Sequence, residues 1–121
     1  MALHYDLPVY KDTFDLIQLI YNYTQKFPRD YKYTLGQDMK HDAMQLTRSI
    51  YRANRAQDKV KRADHLLDFL EDFELLKLEV RLCAELKLLS IAQQAHLHRK
   101  MDTIGKQITG WRNSVQNKGT T

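Results

Sequence analysis

The chain has 121 residues with 4 Gly, 2 Pro and a single Cys, and a formal charge of +4. That length predicts one domain, the lone Cys83 cannot form an internal disulfide, and no stretch approaches the ~20 apolar residues of a membrane span. Few helix breakers and abundant Leu, Lys, Gln, Ala and Arg predict an all-α protein. The opening Met-Ala-Leu-His-Tyr-Asp-Leu-Pro lacks a basic leader with an apolar core, so a secretory signal is not expected. The single thiol suits a reducing, cytoplasmic setting.

The first helix is predicted from about Pro8 to about Phe27, with Pro8 at its first position and Pro28 ending it. Its apolar residues make two stripes, Tyr10–Phe14–Ile17–Tyr21–Thr24 and Leu16–Ile20–Tyr23–Phe27. The second helix is expected to start at a capping box, Thr34 with Gln37, and to bury Leu35, Met39, Ala43, Leu46, Ile50 and Ala53. Residues 54–59 form the connection, with Asp58 capping the third helix.

The third helix runs from about Lys59 to about Leu86, far beyond the average of about 11–12 residues. Leu75, Leu78, Leu82, Leu86 and Leu89 make one line and Leu76, Val80, Cys83 and Leu88 a second, wider than the ~100° stripe of an ordinary surface helix. A helix of this kind is expected to be buried on two sides, inside a bundle that itself assembles. Ser90 and Gln93 make a second capping box and open the fourth helix. Leu97, Met101, Ile104, Ile108, Trp111 and Val115 then form a heptad seam. The expected domain is residues 1–116, followed by a disordered polar tail, 117–121. Four helices with short connections predict an antiparallel up-down-up-down bundle.

Charge is sorted along the chain. Residues 48–62 carry Arg48, Arg52, Arg55, Lys59, Lys61 and Arg62 against Asp58. The stretch 64–85 is mainly acidic, with Lys77 and Arg81 one turn apart inside it, and 87–118 is basic again, with Lys106 and Arg112. The topology brings the 48–62 segment and the end of the fourth helix to one end of the bundle. Clustered cations neutralise phosphates without reading bases, and Tyr31, Tyr33 and Tyr51 could stack on unpaired bases. The competing reading is a solubilising surface.

Catalytic and metal chemistry find little support. The Glu-x-x-His pairs of di-iron bundles are missing, and His96-Leu-His98 places its rings on different faces. There is no Gly-rich phosphate loop or Cys-x-x-Cys pair. Cys83 reads as a small core residue. No cofactor or metal is expected.

Three blocks in order carry a resemblance: Lys26-Phe-Pro-Arg-Asp-Tyr-Lys-Tyr-Thr-Leu-Gly36, Arg81-Leu-Cys-Ala-Glu-Leu-Lys-Leu-Leu-Ser90 and Ile104-Gly-Lys-Gln-Ile-Thr-Gly-Trp111. Together they resemble the accessory variability determinant proteins of diversity-generating retroelements, part of a wider four-helix-bundle family that includes proteins encoded in 23S rRNA intervening sequences. The resemblance implies a barrel-like homopentamer that binds a reverse transcriptase and template RNA, with DNA as a further partner, and is not a catalyst. It matches Lys77, Arg81 and Lys106 to basic positions of the family. The chain departs from the family at Thr109-Gly110, where two glycines are usual, and at Lys32, where Arg is commoner. The expected nucleic-acid contacts are thus Arg48, Arg52, Arg55, Lys59, Arg62, Lys77, Arg81, Lys106 and Arg112. The alternative is a self-assembling bundle, related to the intervening-sequence proteins, with no nucleic-acid role.

Overall fold

A computed structural model describes residues 3–118. Four long helices, α1 (Pro8–Thr24), α2 (Leu35–Arg55), α3 (Lys59–Glu85) and α4 (Ile91–Lys118), follow a short 3-10 turn at His4–Asp6. One extra helical turn, Arg29–Lys32, lies between α1 and α2. Each long helix packs on its neighbours in sequence, and α4 closes back on α1, so the helices occupy the corners of a square in chain order. The connections are short, and consecutive helices run antiparallel. No strand occurs among the described residues.

Local chemistry sets the helix ends. Asp58 Oδ1 accepts the Val60 N–H at 2.9 Å and caps α3. Ser90 and Gln93 form the full capping box, each side chain accepting the other's backbone N–H, at 3.0 and 3.1 Å. The expected box at Thr34 does not form. Its hydroxyl instead donates to Asp30 O at 2.6 Å, because the turn Arg29–Lys32 supplies a nearer acceptor. At the end of α3, Leu88 N donates to Cys83 O at 2.8 Å and Lys87 N to Ala84 O at 3.0 Å. This is a Schellman closure, with Lys87 at φ 60° in the left-handed position where glycine is usual.

The core runs the length of the square: Leu16 and Ile20 from α1, Met39, Leu46 and Ile50 from α2, Leu66, Phe69, Phe73 and Leu76 from α3, and Leu97, Ile104 and Ile108 from α4. Three expectations need correction. On α1 the inward line is Val9, Thr13, Leu16, Ile20 and Thr24, whereas Phe14 and Tyr21 are exposed, since a helix at a corner buries only the sector facing its two neighbours. On α3 the Leu76–Val80–Cys83 line is buried, but Leu75, Leu78, Leu82 and Leu86 are 46, 60, 45 and 38% exposed. One bundle covers only one side of α3. Trp111 ends the seam half-buried, packed against the core edge rather than within it. The helix also continues through Asn117 and Lys118, while the rest of the expected tail, 119–121, lies outside the described residues.

Candidate nucleic-acid interface

The nine cations expected to contact nucleic acid fall into two places. Arg48, Arg52, Arg55, Lys59, Arg62 and Arg112 gather around the α2–α3 connection, as the topology predicts. Arg112 Nε donates to Ala63 O at 3.4 Å, tying the end of α4 to the start of α3. Arg62 reaches back across the connection, its Nε donating to Ala53 O and Ala56 O at 3.1 Å each. These carbonyls end α2 and lack helical partners, so Arg62 acts as a side-chain cap. Arg62 and Arg112 are both half-buried, and their guanidinium groups are committed to the fold.

Four cations of the cluster remain at the surface: Arg48, Arg52, Arg55 and Lys59. Arg55 lies 5.4 Å over the exposed Tyr51 ring and donates to its hydroxyl at 2.5 Å. His4 packs edge-on against the same ring at 5.0 Å, so the N-terminal 3-10 turn helps hold Tyr51 in place. Arg48 and Arg52 line a cleft of about 180 Å³ with Asp68, Glu71 and Asp72. The acidic run of α3 therefore faces α2 and offsets part of the basic charge. Burial, then the neighbouring Asp68, Asp42 and Glu71, raises the Asp72 pKa.

The second place is a groove of about 1040 Å³ between α3 and α4. Lys77, Arg81 and Lys106 line it with His98, over a floor that includes Leu70, Val80 and Met101. Lys77 holds Glu74 at 3.1 Å and sits 5.0 Å over Phe73; Lys106 holds Asp102 at 3.0 Å. Among the described residues Arg81 has no ion-pair partner.

Gly105 and Gly110 open the groove. A Cβ on Gly110 would meet no atom within 4 Å, and one on Gly105 would make an ordinary contact with Phe73 at 3.5 Å. Each glycine costs the helix about 1 kcal/mol relative to Ala. Sequence reading allows such glycines where another backbone packs closely, but within this chain none does. The groove itself was not legible in the sequence; the only signal was two glycines on one helix beside a basic residue.

A buried carboxyl pair lies on the other flank of α3. Glu79 is 8% exposed and its Oε1 has no hydrogen-bond partner among the described residues. Burial, then a hydrogen bond with Asp42 and the charges of Asp42 and Asp38, push its pKa up to about 8. Glu79 thus keeps its proton near neutral pH and shares it with Asp42. One turn on, burial and then the Glu79 charge push the Cys83 thiol up to about 12. Its Sγ donates to Met39 Sδ at 3.3 Å, so Cys83 is a protonated core side chain. Lys100, which the sequence did not single out, bridges Asp12 and Asp15 at 3.3 and 3.4 Å and ties α4 to α1. Burial works against its charge, but the two carboxylates outweigh that and raise its pKa.

Among the described residues no group of three His, Cys, Asp or Glu side chains is arranged to hold a metal, and no helix is long and apolar enough to cross a membrane. A comparison with curated proteins finds no match. A comparison with protein families does: the bAvd-like family matches from Val9, at the start of α1, to Val115, near the end of α4. All four helices and the three connections between them lie inside that span, and the chain is a member of the bAvd-like family.

Proposed function

We propose that this chain is a non-catalytic accessory protein of a diversity-generating retroelement. It works in the cytoplasm as a homo-oligomer, with five copies as the number the resemblance implies. It binds the reverse transcriptase and the template RNA, with DNA as a weaker second polyanion, and so supports mutagenic reverse transcription. The observation that carries this reading is the match to the bAvd-like family over residues 9–115.

The geometry adds a physical route. Arg48, Arg52, Arg55 and Lys59 stand at the surface of one end beside the exposed Tyr51 ring. Cations beside an exposed aromatic suit an unpaired polynucleotide, with phosphates neutralised and a base stacked. Such contacts carry no sequence information, so RNA selectivity must come from RNA shape or from the polymerase.

Titration of template RNA over a series of salt concentrations tests this. Arg52→Glu with Arg55→Glu should weaken RNA and DNA binding alike and reduce the log–log salt slope by ~0.7–0.9 for each phosphate that is no longer neutralised. The assembled mass should not change. Co-purification with the reverse transcriptase and complementary-DNA synthesis test the second partner. Wild-type protein that binds neither RNA nor polymerase at low salt would defeat the proposal. It would leave the second reading, a self-assembling bundle without a nucleic-acid role. The exposed leucines of α3, and the cations already engaged within the chain, are what favour that reading.

A further inference from the structure

We infer that copies of this chain join head to tail, the leucine stripe Leu75–Leu78–Leu82–Leu86 of one copy seating in the α3/α4 groove of the next. This deepens the self-association within the proposed function and is independent of nucleic-acid binding.

The two surfaces belong to the same helix but to different flanks of it. Successive residues of a helix are about 100° apart, which places the stripe about 130° around α3 from the line of Leu70, Lys77, Arg81 and Ala84 that forms one groove wall. Two different patches of one molecule that meet each other make a heterologous contact, which generates a ring or a filament. Height along the axis decides between them. The stripe spans residues 75–86 of α3 and the groove wall spans residues 70–84 of the same helix. The overlap leaves little rise from copy to copy, so the contact favours closure into a ring around an axis parallel to the helices.

Charge and shape both fit. Glu71 and Glu85 lie seven residues on either side of Leu78, on its exposed line, and Asp38 lies across on α2, near Glu79. The groove presents Lys77, Arg81, His98 and Lys106. An apolar stripe with acidic flanks thus faces an apolar floor with basic walls. Gly105 and Gly110 supply the closest evidence for a helix as the occupant. Their missing side chains serve no contact within the chain, and they leave the α4 backbone bare for close approach by another helix.

The test uses two surface variants of the full chain and light scattering. Leu78→Glu with Leu82→Glu spoils the stripe and leaves the groove. Gly105→Gln with Gly110→Gln fills the groove and leaves the stripe; circular dichroism checks that each keeps its helix content. Each variant alone should run as a monomer of 14.4 kDa. Mixed, they should form a one-to-one complex, because each retains the face the other lacks. Should the glycine variant lose helicity, Arg81→Glu replaces it as the groove variant. The inference is overturned if either folded variant stays assembled like wild type, if wild type is itself monomeric, or if the mixture remains monomeric. That last result would mean an isologous contact. A failed mixture with an assembled wild type that still binds RNA removes these faces and leaves the proposed function standing. An intact ring that binds neither RNA nor polymerase does the reverse.

Discussion

At the α2–α3 connection, Arg62 and Arg112 aim their guanidinium groups at backbone carbonyls, whereas along the α3/α4 groove Lys77 and Lys106 hold only carboxylates one turn away on their own helices. The first arrangement satisfies the orphan acceptors of a helix end and stabilises the fold. The second is worth only about 0.2–0.5 kcal/mol per pair and rearranges readily when an outside anion arrives. Basic residues that look alike in sequence therefore differ in availability. The difference lies in whether a carbonyl or a carboxylate is the partner, and in how far the side chain is buried.

Four measurements would break or sharpen that contrast. The largest effect is expected at Trp111, half-buried on α4. Trp111→Ala should lower folding stability by about 2–4 kcal/mol, less than a fully buried Trp, with RNA affinity of the folded protein retained. Abolished RNA binding at unchanged thermal stability would make Trp111 a stacking residue instead. Next comes the direct comparison of two arginines. Arg62→Ala should cost about 1.5–3 kcal/mol in urea unfolding, because it strands buried carbonyls, while Arg81→Ala should stay within about 0.5 kcal/mol. Equal costs would erase the distinction between the two places.

The third concerns the carboxyl pair. The folded-state pKa of Glu79 is raised to about 8 from its ordinary 4.5, so the native state holds a proton that the unfolded chain has released. Its contribution is therefore full below about pH 4.5, and stability should decline as pH rises toward about 8, by roughly 1–2 kcal/mol. Glu79→Gln keeps a donor for Asp42 and should flatten that decline; an unchanged pH profile would mean that Glu79 is ionised in the fold. The smallest effect is at Lys87. Lys87→Gly relieves the left-handed conformation and should raise stability by at most about 1 kcal/mol, with assembly unaffected.

Much of the architecture is written in local pattern. Pro8, Asp58 and the Ser90–Gln93 box mark helix starts where the structure has them, and the Leu97-to-Val115 seam faces the core up to its half-buried Trp111. These features depend on residues within one or two turns, so sequence spacing suffices. Thr34 fails as a cap because a nearby helical turn offers its hydroxyl another acceptor, and that turn carries no periodic signal. The leucines of α3 were legible as apolar but not as uncovered, since periodicity identifies a face without naming its neighbour. Of the candidate interface, the gathering of residues 48–62 with Arg112 follows from topology. The withdrawal of Arg62 does not: its partners lie six and nine residues away across the connection, and only the folded chain shows them within reach. The 64–85 acids were readable as a partner for a basic helix, and that is how they sit against Arg48 and Arg52.

The level placement of stripe and groove on α3 has a consequence for how RNA would meet the protein. A ring with no rise carries every α2–α3 connection on the same rim. A strand laid along that rim would meet the Arg55–Tyr51 pair once per copy, at regular intervals. Weak contacts that recur on a rigid scaffold bind as if at very high local concentration, and linked engagement can exceed a single contact by about 10²–10⁴. On such a rim a modest charge of +4 per chain is sufficient. Grip would come from repetition, so dissociation of the ring should weaken RNA binding more than removal of any one arginine.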